Sequence, residues 1–200
     1  MKKTIIVAVL CLFGFFQSTA QVTFKPGIRG GLNFAHFTKG DSYNSYYYDN
    51  SGNYVSTTTR ADYTAKTDFY LGFYGALHLT KYYTLQPEID YSRQGTKIGS
   101  STDKVDVSYL SLAVVNKFTF TDKFNIHLGP TIDFIVDRSS NFNPNSDVDL
   151  AFLLGAGYNF TKQFGVEARI KKGIVPVIDD NSSHTNVVMS VGATYTFDLK

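Results

Sequence analysis

The side chains that could carry acid–base or metal chemistry are scattered along this sequence. Its four histidines lie in different segments and lack the spacing of a metal site: His36, His78, His127 and His184. His127 and Asp133 fall on the same face of one extended segment, but strand geometry places them about 20 Å apart. Ser182, Ser183 and His184 resemble a nucleophile beside a base only loosely, and no nucleophile elbow accompanies them. We therefore expect no catalytic residue, no metal site, no cofactor and no enzymatic activity.

The charged residues are better organised than the histidines. In several extended segments they alternate with apolar residues, so that each segment has one polar face. We predict that five of them point into the interior of the fold and form an ion-pair network: Arg29, Glu88, Lys117, Glu167 and Arg169. Removal of one member would leave an uncompensated buried charge.

Three short polar segments divide the chain almost evenly: Thr80–Tyr83, Thr121–Phe124 and Thr161–Phe164. Each follows an apolar residue and ends in an aromatic one. The recurrence of about 40 residues, with two strand-like runs in each period, predicts stacked hairpins. Short turns at one end and long polar loops at the other are typical of an outer-membrane β-barrel.

Period-two alternation predicts eight strands. In the third, Leu85, Pro87 and Ile89 alternate with Gln86 and Glu88. Such alternation does not by itself tell whether the apolar face points outward or inward, as it would in a lipocalin-like barrel or a soluble sandwich. Charged residues and glycines on the polar face, and aromatic residues beside the short turns, favour a barrel in a membrane. We expect an all-β, eight-stranded, antiparallel, up-and-down transmembrane barrel.

The fourth strand breaks the pattern. Its apolar residues occupy odd positions as far as Tyr109 and even positions from Leu110 onward. The switch predicts a bulge near Tyr109, or a strand end that stands clear of the membrane. The second parity would also turn Asn116 toward lipid.

The first twenty residues are typical of a secretory signal peptide. Lys2 and Lys3 precede an apolar run, and the small residues of segment 18–20 offer a cleavage site. We expect a signal peptide at 1–20 and a barrel domain at 21–200. The single cysteine, Cys11, lies in the apolar run, so the mature chain would have no disulfide. Loss of Lys2 and Lys3 would leave seventeen basic and seventeen acidic residues, a balance that argues against nucleic acid as a partner.

Three motifs resemble the PorT-like outer-membrane β-barrel family of Bacteroidetes. They are the segments Gly27–Phe34, Leu85–Gly95 and Leu128–Pro130. The start of the fourth strand is also similar, although Ala113 stands where that family usually has proline. The resemblance implies an eight-stranded barrel in the bacterial outer membrane. It implies little about activity, because the family is named for a member linked to protein secretion and gliding.

The segment Ser190–Phe197 resembles the C-terminal signal read by the outer-membrane assembly machinery. Its pattern depends on Gly192, Tyr195 and Phe197, and three further residues follow it. Outer-membrane lipid and this machinery are therefore expected partners, and envelope or secretion proteins are further candidates.

The longest predicted loop, residues 37–66, is rich in tyrosine. We expect either a binding surface or a hairpin with tyrosines paired across its strands, formed by Tyr43, Tyr46, Tyr47, Tyr48 and Tyr54. Loops near 37–66, 94–104, 137–147 and 172–184 are expected outside the cell, and turns near 81, 122 and 162 in the periplasm.

These observations favour a small outer-membrane barrel with a structural, adhesive or assembly- and secretion-associated binding role. A narrow pore is the first alternative, although an eight-stranded barrel is just wide enough to be filled by its own side chains. An enzyme that modifies lipid or lipopolysaccharide is the second.

Overall fold

The computed structural model describes residues 22–38, 43–59, 63–98, 104–139, 146–175, 178–180 and 182–198. The expected signal peptide lies outside these ranges. The first six strands of the described residues are β1 Thr23–Phe37, β2 Tyr43–Tyr48, β3 Tyr54–Thr59, β4 Tyr63–His78, β5 Tyr83–Ile98 and β6 Lys104–Thr119. The other six are β7 Phe124–Arg138, β8 Val148–Asn159, β9 Phe164–Gly173, β10 Ile178–Asp180, β11 Ser182–His184 and β12 Asn186–Thr196. Within the same ranges, no helix is long and apolar enough to cross a membrane.

Eight of the strands close into one antiparallel barrel in the order β1-β12-β9-β8-β7-β6-β5-β4. The closing pair is β1 with β12, in register from Gly27 opposite Thr196 to Phe37 opposite Asn186. The remaining four strands form two separate hairpins, β2 with β3 and β10 with β11. The predicted eight-stranded barrel is confirmed.

A repeated threonine shapes the three short turns at one end of the barrel. The Thr121 hydroxyl accepts hydrogen bonds from the backbone N–H groups of Lys123 and Phe124, at 3.4 and 3.0 Å. Thr80 and Thr161 accept the equivalent pairs of bonds in their own turns. A side-chain hydroxyl thus takes the place of a backbone acceptor and brings each strand pair back on itself. We call this the short-turn end and the opposite end the long-loop end.

The barrel is apolar outside and polar inside. Leu154 is 49 % exposed on the outer wall, whereas Arg29 is only 5 % exposed in the lumen. Many other large apolar side chains are exposed along the same outer wall. A soluble barrel or sandwich would have the reverse arrangement, so the interpretation with an inward apolar face is wrong.

The strands extend further toward the long-loop end than the predicted loops allowed. β5 continues to Ile98 and β6 begins at Lys104, so most of the predicted loop 94–104 is strand. The segments 37–66 and 172–184 each contain a hairpin of their own. The sequence did not predict these extensions because their residues are polar on both faces. A strand that extends beyond the lipid no longer needs an apolar face.

The irregular fourth strand corresponds to β6, and its odd positions face the lumen along the whole strand. Its apolar odd residues Val107 and Tyr109 pack with Phe37 in a buried cluster at the long-loop end of the lumen. The register of β6 with β7 does shift between Ser108 and Tyr109, where a bulge was predicted. The extra residue belongs to β7, however. The change of parity in the sequence therefore marks the apolar cluster.

Asn116 lies on the outer face of β6 near the short-turn end. Its Oδ1 atom accepts a hydrogen bond of 2.7 Å from the Tyr83 hydroxyl on β5. Its Nδ2 group donates to the Leu128 carbonyl at 3.4 Å. These bonds satisfy an amide that would otherwise be costly to place beside lipid.

Candidate functional site

The ion-pair network lies where β1, β5 and β9 turn charged residues inward. Arg29 has Gly72 and Thr194 as its neighbours on the two flanking strands. Small neighbours leave room for the guanidinium group to cross the lumen. Glu167 and Arg169 lie two residues apart on β9 and therefore share its inner face.

Arg29 binds three carboxylates. Its Nε and Nη2 groups donate to Glu167 Oε1 at 2.8 and 2.5 Å, and its Nη1 group donates to Asp90 Oδ2 at 2.7 Å. Nη1 also lies 3.2 Å from Glu88 Oε2. The guanidinium carbon sits 4.6 Å from the ring centre of Tyr70. Arg29 is thereby held by both charge and aromatic contact.

Arg169 completes the network from the other side. It donates to both Glu88 oxygens, with Nη1 at 2.7 Å and Nη2 at 2.9 Å, in a bidentate pair. Nη2 also donates to Glu167 Oε2 at 2.9 Å. These two arginines and the carboxylates of Glu88, Glu167 and Asp90 form a continuous charged layer across the lumen, which we call the charged layer.

Lys117 is the predicted member that the structure does not bring into contact with the others. It lies on the inner face of β6, opposite Thr84 on β5 and His127 on β7. Among the described residues it forms no ion pair within 4.0 Å. In formal charge, the three carboxylates and two arginines of the charged layer sum to one negative charge, and Lys117 is the nearby residue of opposite sign.

The lumen above the charged layer is narrow. A cavity of about 40 Å³ is lined by Arg29, Asp90 and Arg169 below and by Lys171 and Ser111 at its sides. That volume suits a few water molecules.

Beyond this cavity, the lumen continues toward the long-loop end. There the Lys171 ammonium group donates to the Asp133 carboxylate, and Asp133 lies opposite Asp149 on the neighbouring strand. Above them the cluster of Phe37, Val107 and Tyr109 is almost fully buried. The charged layer and this apolar cluster therefore lie at two successive levels of the lumen, with the small cavity between them.

The lumen histidine is held in place without an acidic partner. His127 Nδ1 lies 3.1 Å from Asn125 Oδ1. At the short-turn end, His78 Nδ1 lies 2.9 Å from Thr84 Oγ1. In the described part of the chain neither ring contacts a carboxylate, and no group of three potential ligands is placed to hold a metal ion.

The tyrosine-rich segment forms the hairpin of β2 and β3 at the long-loop end, and its tyrosines do pair across the strands. The ring of Tyr54 stacks on Tyr46, with centres 5.6 Å apart and 14° between the planes. It meets Tyr48 edge-on at the same distance. Tyr47 pairs with Val55 and therefore lies on the opposite face. Tyr43 begins β2, where its backbone pairs with Thr59.

A five-residue loop, residues 49–53, joins the two strands of the hairpin. The N–H of Gly52 donates to the carbonyl of Asp49 at 2.9 Å, and Gly52 has a φ of 78°, which glycine adopts without strain. The Asp49 carboxylate accepts bonds from the N–H groups of Ser51 and Asn53 and from the Asn53 amide. The bonds from Asn53 lower the pKa of Asp49. This carboxylate therefore remains charged and bonded to the turn in mildly acidic solution.

With this geometry known, comparison with other proteins identifies the family. The model of the outer membrane protein beta-barrel domain matches residues 6–197. The chain belongs to this family. In the search of curated proteins, none matches this chain significantly.

Two solved structures illustrate the similarity in fold. Neisserial surface protein A is 11 % identical, with a TM-score of 0.54 over 86 % of this chain and 97 % of that one. OprG from Pseudomonas aeruginosa is 14 % identical, with a TM-score of 0.50 over 89 % of this chain and 98 % of that one. At such identities the likeness concerns the fold alone.

Membership of this family explains the outer wall. The barrel protein is an outer-membrane protein, and its exposed apolar residues face lipid. Aromatic rings cluster at the short-turn end, where the ring centre of Phe160 lies 5.9 Å from that of Phe164 and 5.3 Å from that of Tyr158. Tyr195 and Phe197, from the C-terminal motif, form a further contact at 5.3 Å. Such rings suit the boundary between lipid and water.

One member of the charged layer, Asp90, and one residue that binds to it, Tyr70, were not in the predicted set. Asp90 follows Glu88 at the spacing of one strand face, so the alternation of β5 contained the signal. Tyr70 donates to Glu167 Oε1 at 3.3 Å from the inner face of β4. The alternation of that strand puts Tyr70 on its polar face together with Asp68 and Gly72, but it does not reveal the contact with Glu167.

Proposed function

We propose that this outer-membrane protein is a closed barrel that anchors an extracellular binding surface. The observation that carries the proposal is the charged layer, in which Arg29 and Arg169 join carboxylates from opposite walls of the lumen. A solute that passed through would have to break buried ion pairs. The barrel therefore serves as an anchor, and the binding surface is the hairpin of residues 43–59.

The orientation follows from the lengths of the connections. Barrels of the bacterial outer membrane keep short turns in the periplasm and long loops outside. The hairpin of β2 and β3 would then face the cell exterior, where adhesion or assembly with envelope and secretion proteins takes place. Outer-membrane lipid surrounds the wall, and the assembly machinery would read Gly192, Tyr195 and Phe197 during insertion.

We further propose that the protein is not an enzyme. The rings of His78 and His127 bond to Thr84 and Asn125 in the described structure. An acid–base pair of the usual kind needs a second group that orients the histidine, as a carboxylate does in hydrolases. The narrow pore is a weaker candidate, because the cavity above the charged layer ends at that layer.

A hairpin replacement tests the binding role. Residues 43–59 are replaced by a glycine- and serine-rich linker that preserves the barrel. The amount in the outer membrane and the mobility of unboiled protein on gels provide the control for folding. Cells with the unaltered protein should attach to a polysaccharide film, to matrix protein or to the cell's own envelope proteins, and the replacement should abolish this attachment. Equal attachment of cells with the unaltered protein and cells with the replacement, on all three surfaces, would refute the binding role.

A further inference from the structure

One face of the hairpin is an exposed aromatic surface made of Tyr46, Tyr48 and Tyr54. We propose that this surface, which we call the tyrosine platform, binds neutral carbohydrate. The inference rests on the proposed binding role of the hairpin and names the chemical class of its ligand.

The geometry of the platform leaves ring surface free. Tyr48 is 72 % exposed and Tyr54 is 62 % exposed. The ring centre of Tyr54, on β3, lies 5.6 Å from the ring centres of both Tyr46 and Tyr48, on β2. Tyr46 stacks on Tyr54 and Tyr48 meets it edge-on, so the three rings form one contiguous aromatic cluster, and all three side chains remain more than half exposed.

Tyrosine rings and sugar rings are chemically complementary. The face of an aromatic ring carries partial negative charge, and the C–H groups on one side of a pyranose ring carry partial positive charge. Tyrosine also presents a large contact area at low entropic cost and adds a hydroxyl group for hydrogen bonds. Ser56, opposite Tyr46 in the register, places another hydroxyl-bearing residue on the same face.

The charge of the hairpin selects a neutral ligand. Apart from its tyrosines, Asp49 is the only ionisable residue between positions 43 and 59. Its carboxylate is occupied by Ser51 and Asn53 in the turn. No basic side chain of the hairpin is available to pair with a sulfate, a carboxylate or a phosphate. Anionic polysaccharides and nucleic acids therefore lack a counter-charge on this surface.

The size of the hairpin favours a sugar over a protein partner. A standard protein interface involves about 20–30 residues on each side. Each face of the two short strands presents far fewer. A small ligand that stacks on two or three rings makes full use of such a surface.

Ligand titration of the purified, full-length barrel tests the proposal. The probes are maltoheptaose, cellohexaose and dextran, with dextran sulfate as the anionic counterpart of dextran. We expect at least one neutral probe to bind, and dextran sulfate to bind no better than dextran. The double variant Tyr48→Ala/Tyr54→Ala should bind about tenfold more weakly, the loss expected for two stacked aromatic contacts.

Two matched variants separate stacking from general damage to the hairpin. Tyr47→Ala removes a tyrosine that is more than half exposed on the opposite face, and it should leave affinity unchanged. Tyr48→Phe/Tyr54→Phe preserves the rings and should retain most of the affinity, even if the double alanine variant disturbs the hairpin. Failure of all neutral probes to bind would overturn the carbohydrate assignment, as would an equal loss in Tyr47→Ala.

Failure of this inference is distinguishable from failure of the proposed function. If replacing residues 43–59 abolishes attachment but no neutral sugar binds, the hairpin binds another class of partner and only the carbohydrate assignment is wrong. If the replacement changes no attachment, the binding role itself is wrong. Binding to sugar-free lipid vesicles that depends on Tyr48 and Tyr54 would likewise overturn the assignment.

Discussion

Arg169 is the residue whose loss should damage the lumen most clearly. It makes a bidentate pair with Glu88 and a third bond to Glu167, all in the buried charged layer. Removing one partner of such a layer leaves an uncompensated charge, at a cost of about 3–5 kcal/mol. We expect Arg169→Ala and Glu88→Ala each to lower the free energy of unfolding in detergent by this amount. The control Asp122→Ala changes an exposed turn, and losses no larger than in this control would contradict the prediction.

Lys117 provides a contrast within the same lumen. It forms no ion pair among the described residues, so Lys117→Met removes charge without breaking a salt bridge. The loss in unfolding free energy should be clearly smaller than for Arg169→Ala in the same titration.

The residue scale also shows what alternation can and cannot reveal. Period two placed Arg29, Glu88, Glu167 and Arg169 on inner faces, because a barrel strand in lipid must segregate charge from apolar side chains. The alternation could not show which of these residues contact each other. Arg29 and Glu167 meet because β1 and β9 each flank β12 in the closed barrel, and the order of strands is a property of the whole fold.

At the scale of elements, the seam between β1 and β12 depends on two facing glycines. Gly31 lies opposite Gly192. A Cβ atom at position 192 would lie 2.2 Å from the Tyr70 hydroxyl and 2.4 Å from the Gly30 carbonyl oxygen. The backbone contact cannot be relieved by a rotamer change, so the strands would have to separate.

Gly192→Ala should therefore impair closure of the barrel. Overpacking of this kind costs about 1–3 kcal/mol. The measurement is the fraction of unboiled protein that migrates as the folded band. Val191→Ala, at the neighbouring outward position, is the control and should fold as the unaltered protein does. A fully folded Gly192→Ala protein would show that the seam tolerates a side chain.

The outer wall should respond to charge according to depth. Leu154 lies in the middle of β8 and is exposed to lipid, whereas Val136 is exposed near the long-loop end of β7. We expect Leu154→Arg to cost about 2–4 kcal/mol and Val136→Arg about 0–1 kcal/mol. Folding titrations into lipid vesicles measure both. Equal costs would mean that the two positions lie at the same depth or outside lipid.

Elements differed in how well the sequence revealed them. The short turns were predictable, because each places a threonine hydroxyl two and three residues before the N–H groups that it binds. The apolar cluster of Phe37, Val107 and Tyr109 was not, because its residues come from distant segments. In the sequence it looked like a change of parity on one strand.

At the scale of the whole molecule, the orientation in the membrane is directly testable. Epitope tags at Gly52, in the hairpin loop, and at Asp122, in a short turn, lie at opposite ends of the barrel. Antibody should label whole cells that carry the Gly52 tag and leave cells with the Asp122 tag unlabelled. Permeabilised cells should label with both. The reverse pattern in whole cells would invert the proposed orientation and place the hairpin in the periplasm.

A recording of single-channel current in a planar lipid bilayer tests most directly whether the lumen is closed. An established porin under the same conditions confirms that the bilayer reports open barrels. Because the charged layer spans the lumen and the cluster of Phe37, Val107 and Tyr109 covers its far end, the purified protein should insert without producing stable conductance steps. Reproducible steps of uniform size would show that the barrel conducts and would contradict its role as a closed anchor.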